Sequence, residues 1–392
     1  MIDGMGGDDR ITVTGRVEGE INGGDGNDTI VITDTPRGLG EAGGVSGAVR
    51  GQAGNDTITV TGGPGTSNDG GGPGIFLNGL VHGGDGDDTL EVRGGNGGPG
   101  GSQLSEAVGG TAVEGEVRGG AGADRITVLG GAGYLSADGG VGIGGTGAVH
   151  GGDPGLADAL DAEDGVDTIR VTGGAGGAQG AGYGGDGGDA VAGELTGGAR
   201  GDFITVTGGS GAATAGEGPA GHGGDAVGYG RVWGGDSVPG LLAFEGDDTF
   251  TITGGQGGVS SSPQYNAGRG GTGISRGALD GDRGADTISV TGGDSAAEAG
   301  PAVTGPGGDR TAVKGGPGND RMTFTAGAGI THDPAVEKAD INGGGDFSAD
   351  GDDIISLRGE AVDVTVDGGA GDDTCGAATG GATFTSCENL TD

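Results

Sequence analysis

Aromatic and other apolar residues are scarce in this sequence. Of its 392 residues only 31% are hydrophobic and 3% are aromatic, whereas 112 are glycine. A compact globular domain of this length normally holds far more apolar volume. Two classes of protein remain: a glycine-rich disordered chain, or a solenoid whose thin core needs little apolar mass in each coil.

Basic residues are also few, because 18 Lys and Arg stand against 57 Asp and Glu, for a formal net charge of −39. This acidity argues against nucleic acid and anionic membranes as partners and favours cations. No apolar run reaches the length of a transmembrane helix, which predicts no membrane insertion. The first residues show no signal peptide, so we expect either another export signal or a truncated N-terminus.

The chain contains four histidines, and none stands beside a cysteine, a serine or a pair of carboxylates in a recognisable catalytic motif. His82 and His150 occupy the residue before a Gly-Gly pair, a position that varies widely between repeats, so we expect both to be exposed. His222 and His332 fall in expected loops. We therefore expect this chain not to be an enzyme.

A repeated motif organises the rest of the sequence: a glycine turn ends in an aspartate and leads directly into an alternating strand. Residues 83–92 show it in full, as Gly-Gly-Asp-Gly-Asp-Asp-Thr-Leu-Glu-Val. Glycine allows a backbone with φ > 0 and a close approach of main-chain oxygens to a ligand. The aspartate recurs at Asp9, Asp28, Asp56, Asp88, Asp124, Asp167, Asp202, Asp248, Asp286, Asp320, Asp353 and Asp373.

The shortest repeats, 9–28 and 353–373, define the underlying coil. Period-2 alternation predicts one strand with Ile11 and Val13 inward and a second strand with Val17, Gly19 and Ile21 inward. Longer repeats carry glycine-rich insertions between these two strands, at 94–110, 173–189 and 208–225, and two carry a further insertion around 154–163 and 236–245. Insertions at one locus can leave a solenoid without disturbing its coils. We predict an all-β parallel β-helix or β-roll solenoid of about 12 coils, with one acidic turn per coil and glycine-rich loops along one edge.

The turns at 23–31 and 83–91 match Gly-Gly-x-Gly-x-Asp-x-U-x in full and the others match it in part. In this the chain resembles the hemolysin-type calcium-binding repeat (RTX) family, whose repeat has that pattern. Its coil length is similar to that of the calcium-bound β-helix of a bacterial ice-binding adhesin. The resemblance implies Ca²⁺ between neighbouring turns, along one edge only because each coil has a single acidic turn.

The resemblance implies that the repeated aspartates hold Ca²⁺ together with main-chain carbonyls of the glycine turn. The expected carbonyl donors are Gly26, Gly54, Gly86, Gly122, Gly284, Gly318 and Gly371; at the equivalent position of another turn stands Arg200, where we expect the weakest site. Independently, carboxylates stacked ~4.8 Å apart repel by roughly 3.5 kcal/mol at an effective dielectric constant near 20, which favours a cation between them. The alternative is that these aspartates merely cap turns.

Cys375 and Cys387 are the only cysteines. A pair in an extracellular protein predicts a disulfide, with two free thiols as the alternative. We expect residues 1–374 to form the solenoid and residues 375–392 a disulfide-closed C-terminal cap of the same domain.

Outward positions of the first strand are rich in threonine, as at Thr57, Thr59 and Thr61. Taken together, these features predict a secreted or cell-surface calcium-binding β-solenoid with a structural or adhesive role. Two alternatives stay open: a module that binds ice or glycan through the threonine array, or the calcium-binding segment of a larger secreted enzyme. Besides calcium, a cell-surface or extracellular ligand is an open partner.

Overall fold

The computed structural model describes residues 1–36, 44–66, 69–99, 107–153, 164–178, 182–215, 218–235, 246–262, 264, 266–305, 310–344 and 351–391. Within them the chain is an all-β solenoid in which each coil adds one strand to each of two parallel stacks. Each interior strand pairs with the equivalent strands of the coils before and after it. The predicted parallel solenoid is confirmed, whereas the insertions at 154–163 and 236–245 lie outside the described residues.

The first stack contains the strands that follow the aspartate turns. Equal positions are aligned, so that Ile126 lies between Leu90 and Ile169. Positions two and four of each strand point inward, and positions one, three and five point outward. Its members are Arg10–Thr14, Thr29–Thr33, Thr57–Thr61, Thr89–Arg93, Arg125–Leu129, Thr168–Thr172, Phe203–Thr207, Thr249–Thr253, Thr287–Thr291, Arg321–Thr325, the starts of Ile354–Asp367 and Thr374–Thr385, and Asn389–Thr391.

The second stack contains the strands that precede the Gly-Gly pairs. Its members are Ile2–Asp3, Glu20–Asp25, Ala48–Ala53, Leu80–Asp85, Glu116–Ala121, Ala148–His150, Glu194–Thr196, Arg231–Trp233, Ala278–Asp280, Thr311–Lys314, Val336–Asn342 and the ends of the two long strands Ile354–Asp367 and Thr374–Thr385. Val303–Thr304 pairs with Val336–Asn342, and Glu298–Ala299 forms a separate small sheet with Thr331–His332. His332 thus lies in a strand and not in the expected loop.

A column of single parallel bridges forms a third wall, joining Val17, Val45, Ile75 and their equivalents as far as Val303. Val17 and Ile21 are buried as expected, but Gly19 between them is exposed, so the two belong to separate elements rather than one strand. A turn separates Val17 from Ile21. The equivalent turn of the next coil stacks on it, with the Gly47 N–H donating to the Val17 carbonyl. A Cβ on Gly47 would lie under 3 Å from the Gly19 carbonyl, which explains glycine there.

The core is a thin stack of aliphatic side chains. The coil that begins at Asp56 contributes Ile58 and Val60 from the first stack, Ile75 from the third wall and Val81 from the second stack, all fully buried. Four such side chains close one coil, and the next coil covers them. This arrangement explains how a chain with so little apolar residue content can still have a continuous core.

The glycine-rich insertions form an ordered layer, here called the glycine layer, where we expected loops that simply leave the stack. Each insertion has an outgoing leg after the first strand and a return leg before the third wall. Main-chain bonds alternate between the legs: Gly131 N–H donates to Gly110 O, Gly140 N–H to Gly131 O, and Gly174 N–H to Gly140 O. The zigzag runs through Gly95, Gly110, Gly131, Gly140, Gly174, Gly188, Gly209, Gly224, Gly255, Gly271, Gly293, Gly300 and Gly327.

Within the outgoing legs, bonds to the next coil recur at every third residue. Gly130 N–H donates to Thr172 O and Gly133 N–H to Ala175 O. A repeat of three residues is typical of polyproline II chains. A Cβ on Gly131 would lie under 3 Å from the Gly95 carbonyl, so close backbone packing is what requires glycine in this layer.

The C-terminal end of the chain continues the first stack. A disulfide joins Cys375 to Cys387, and Asn389–Thr391 pairs with the start of Thr374–Thr385. Cys375 occupies an inward position and is fully buried. Among the described residues there is no helix long and apolar enough to cross a membrane.

Candidate metal centre

The predicted aspartates form one continuous column at the start of the first stack. Oδ1 of each aspartate accepts a hydrogen bond from the main-chain N–H of the aspartate in the preceding coil. Asp88 Oδ1 accepts from Asp56 N at 2.6 Å, and Asp124 Oδ1 accepts from Asp88 N at 2.7 Å. The same bond links every pair from Asp9 to Asp373, at 2.6 to 2.8 Å. The column ends where Asp373 N donates to Glu388 Oε2 at 2.9 Å.

The second carboxylate oxygen has a different environment. Oδ2 is buried and has no hydrogen-bond partner within the described part of the chain at Asp9, Asp28, Asp56, Asp88, Asp124, Asp167, Asp202 and Asp286. A buried acceptor left without a donor costs free energy. These atoms are therefore places where a ligand would be stabilising.

Each such Oδ2 converges with a main-chain oxygen of the next coil. The position that a Cβ on Gly83 would occupy lies under 3 Å from both Asp88 Oδ2 and the Gly119 carbonyl oxygen. The same pair of oxygens surrounds the first glycine of the neighbouring turns, for example Asp56 Oδ2 and the Gly83 carbonyl at Gly51. The Cα of the first glycine in these Gly-Gly pairs thus packs against one carboxylate oxygen and one carbonyl oxygen, which leave no room for a side chain there.

Burial makes the ionised carboxylates costly. Loss of solvation is the main cause that raises the pKa of Asp56 to about 6, of Asp88 to about 7 and of Asp124 to about 9. Repulsion from the neighbouring carboxylates of the column adds to the rise in each case. The bond from the main-chain N–H lowers these pKa values but does not offset the burial. Positive charge beside the column would reverse this effect.

The seven glycines expected to donate carbonyls lie within the stacked turns. Six of them have positive φ, for example 127° at Gly86. The carbonyl oxygen of Gly54 lies against Gly86, and that of Gly86 against Gly122, so these turns stack directly on one another. The carbonyl that faces each Oδ2 instead belongs to the first glycine of the next turn. A ligand role for Gly26, Gly54, Gly86, Gly122, Gly284, Gly318 and Gly371 therefore stays a prediction.

Arg200 adopts the same left-handed backbone as the glycines it replaces, with φ of 91°. A side chain in this region costs roughly 1–2 kcal/mol. The neighbouring ladder residue Asp202 is buried, and burial followed by repulsion from Asp167 raises its pKa to about 10. This turn therefore combines backbone strain with a costly carboxylate.

The residues before the aspartates form a second, exposed ladder. Asn27 Oδ1 accepts from Asn55 N at 2.8 Å, and Asp87 Oδ1 accepts from Ala123 N at 3.0 Å. At the C-terminal end Asn389 Nδ2 donates to Asp372 Oδ1 at 2.9 Å. This ladder faces solvent, so its side chains stabilise the turn without carrying buried charge.

The buried Oδ2 atoms and the first-glycine carbonyls are hard oxygen donors and suit Ca²⁺, a cation that takes six to eight oxygen ligands. The carboxylate Oδ2 atoms and the first-glycine carbonyls would hold it, and water or further carbonyls would complete its shell. Within the described ranges, no three His, Cys, Asp or Glu side chains form a preformed cluster. Any cation here would therefore depend on main-chain oxygens as much as on carboxylates.

No protein-family model matches the chain, and no curated protein matches it in sequence. Among solved structures, the chain is similar to a hyperactive, Ca²⁺-dependent, β-helical antifreeze protein from an Antarctic bacterium. The two are 18% identical, with 95% of this chain and 84% of that chain covered and a TM-score of 0.35. The solenoid is established by the strand register of the chain itself rather than by this likeness.

Two histidines differ from expectation. His150 is buried, its Nδ1 lies 2.8 Å from Thr196 Oγ1, and burial lowers its pKa to about 4. His82 is half-buried, with Nε2 3.1 Å from Asp153 Oδ1. The position before Gly-Gly lies on the second stack, where neighbouring coils cover it, so a variable column does not imply exposure. His222 lies outside the strands as expected, is exposed, and its Nδ1 accepts from Arg269 N at 2.8 Å.

Sequence reasoning singled out the aspartates but missed the first glycine of each pair as the residue that packs against the buried Oδ2. The signal was present, because nearly every turn begins with that glycine while its second glycine is replaced by Met5, Gln52 or Asp282. The first position of the pair requires glycine because the aspartate Oδ2 and the carbonyl of the next coil leave no room for a side chain.

Proposed function

We propose that this chain is a calcium-binding structural β-solenoid that works outside the cell or at its surface, without catalytic activity. Bound Ca²⁺ neutralises the buried aspartate column and makes the stack of coils stable. The Cys375–Cys387 disulfide supports an oxidising location. Affinities of about 10⁻⁴–10⁻³ M, typical of extracellular calcium modules, would keep the sites filled there and empty in the cytosol.

The observation that carries this proposal is the row of buried Oδ2 atoms, each facing a carbonyl oxygen of the next coil and each without a donor. Capping of turns uses Oδ1 alone and leaves Oδ2 unexplained. A cation between the coils would satisfy both oxygens together.

The test is far-ultraviolet circular dichroism and urea denaturation of the chain in excess EGTA and across micromolar to millimolar Ca²⁺. We expect a cooperative gain of β signal or stability with Ca²⁺ and a smaller response to Mg²⁺, which prefers a tighter octahedral shell. Equal stability in EGTA and in saturating Ca²⁺ at neutral pH would refute the proposal.

A second candidate function is surface binding by the first stack. Its outward positions align from coil to coil, as Thr249, Thr251 and Thr253 align with Thr287, Ser289 and Thr291. Such an aligned array of hydroxyl and methyl groups favours recognition of an ordered surface, with ice or a glycan as the classes to test. Thermal hysteresis and partition into growing ice measure the first class, and polysaccharide pull-down measures the second.

A further inference from the structure

Arginine is concentrated on one surface of this acidic protein. We define the first-strand face as the outward side chains of the first stack between residues 10 and 358. Its arginines, all exposed, are Arg10, Arg93, Arg125, Arg170, Arg321 and Arg358. The only carboxylate at these outward positions is Glu91. The face is therefore cationic on a chain whose formal net charge is −39.

Arginines elsewhere in the described part of the chain have partners. Carboxylates pair with Arg16, Arg50, Arg118, Arg269 and Arg310. Aromatic rings lie under Arg231 and Arg276.

On the first-strand face most arginines have no carboxylate partner among the described residues. The exception is Arg93, which pairs with Glu91. No carboxylate of the described residues lies within ion-pair distance of Arg10, Arg125, Arg170, Arg321 or Arg358. An arginine side chain is long and flexible, and 57 acidic residues are available in the sequence. The strands of this face therefore keep carboxylates away from its arginines.

These arginines do not simply follow the aspartate column. Arg125 takes position one of its strand, directly after Asp124, whereas Arg170 takes position three and Arg358 position five. Arg125 and Arg170 belong to neighbouring strands, with Arg125 aligned to Thr168 and Thr127 to Arg170. Strand spacing places their Cα atoms about 8 Å apart, with threonines between them. Guanidinium groups and threonine hydroxyls thus share one face of the solenoid.

We propose that the first-strand face binds an acidic polysaccharide, which deepens the second candidate function above and does not depend on the calcium proposal. Guanidinium groups bind carboxylate or sulfate through paired N–H donors. Threonine hydroxyls both donate and accept, which suits sugar hydroxyls. A polymer that carries anions and hydroxyls along an extended chain complements both features across several coils.

Other occupants fit this face less well. Single-stranded nucleic acid needs aromatic platforms, and the only aromatic outward residue here is Phe203. Ice carries no charge for the arginines to meet. At physiological ionic strength the Debye length is about 8 Å, so acidic residues farther than this from a polymer on the face are largely screened, whereas the aspartate column beside position one is screened less.

The test uses the full chain in millimolar Ca²⁺ at physiological salt, with fluorescent dextran sulfate as probe and uncharged dextran as its matched backbone control. The variant Arg125→Thr/Arg170→Thr removes two unpaired arginines of the face. The control variant Arg16→Thr/Arg50→Thr makes the same change in net charge at two ion-paired sites. Circular dichroism establishes that both variants fold as the parent does.

We expect binding to dextran sulfate but not to dextran, a loss of affinity of about tenfold or more in Arg125→Thr/Arg170→Thr, and a change of less than about twofold in the control. Equal losses in both variants, or none in either, would show that net charge or bridging calcium accounts for binding and would overturn the proposal. Self-association that disappears only in Arg125→Thr/Arg170→Thr, without dextran sulfate binding by the parent, would assign the face to a second copy and overturn it as well.

Discussion

Replacing Asp88 by asparagine separates the structural role of its carboxylate from its role as a candidate calcium ligand. In the parent, Asp56 N donates to Asp88 Oδ1 at 2.6 Å, and Oδ1 of an asparagine can accept the same hydrogen bond. The amide nitrogen takes the place of the buried Oδ2 and brings a donor toward the Gly119 carbonyl. The substitution therefore repairs the turn without calcium and removes the charge that calcium needs.

The two effects have opposite signs. Burial raises the pKa of Asp88 from 3.8 to about 7, so its ionised form destabilises the metal-free fold above that pH. Each pKa unit corresponds to 1.36 kcal/mol, and the rise converts to about 2–4 kcal/mol once partial screening is allowed for. In EGTA at pH 8, Asp88→Asn should raise the free energy of unfolding by about that amount. In millimolar Ca²⁺ the calcium-induced gain should shrink by about 1–2 kcal/mol, the mass-action contribution of one site.

The assay is urea denaturation at pH 8 in EGTA and in Ca²⁺, with calcium stoichiometry from titration calorimetry. Asp87→Asn is the matched control, because it makes the same charge change one residue earlier on the exposed ladder. It should change stability by less than about 0.5 kcal/mol in both conditions. A lower stability of Asp88→Asn in EGTA, or an unchanged calcium increment, would refute the argument from Oδ2.

Three further predictions follow from the same structure. Because burial raises the ladder pKa values to between about 6 and about 10, the metal-free chain should lose stability as pH rises from about 4 through that range, and urea midpoints in EGTA should be higher at pH 5 than at pH 8. Gly131→Ala should cost about 1–3 kcal/mol by thermal denaturation, because its Cβ would meet the Gly95 carbonyl, whereas Gly145→Ala, with its nearest atom at 3.9 Å, should be close to neutral. Arg200→Gly should stabilise the chain by about 1 kcal/mol and add or tighten one calcium site; unchanged stoichiometry and affinity in titration calorimetry would contradict this.

The class of fold and the column of aspartates could be predicted from the sequence because both depend on local, periodic signals. Two-residue alternation predicts Ile11 and Val13 to point inward, where both pack against the core, and the fixed distance from turn to strand aligns Asp56 with Asp88. In a solenoid, repeats at equal positions stack on one another, so a sequence alignment of the coils is also a map of contacts. That is why residues far apart in the chain could be paired without coordinates.

The burial of His150 and the hydrogen-bonded arrangement of the glycine layer could not be predicted in this way. Both depend on which side chains and legs of neighbouring coils cover a position, and that varies along the stack. The insertions looked like loops because their own residues have no alternation. Their hydrogen bonds run between the outgoing and return legs of different coils, as from Gly174 N–H to Gly140 O.

The coil, its inward residues and the acidic edge follow from the sequence, since they are properties of a single repeat multiplied along the chain. What each carboxylate oxygen faces depends instead on how neighbouring coils stack. Oδ1 is used by the preceding coil, whereas Oδ2 meets a glycine Cα of its own coil and a carbonyl of the next. The stacking of coils also decided that Arg125 and Arg170 have no carboxylate partner among the described residues, because ion pairing depends on which side chains the neighbouring coils bring within reach.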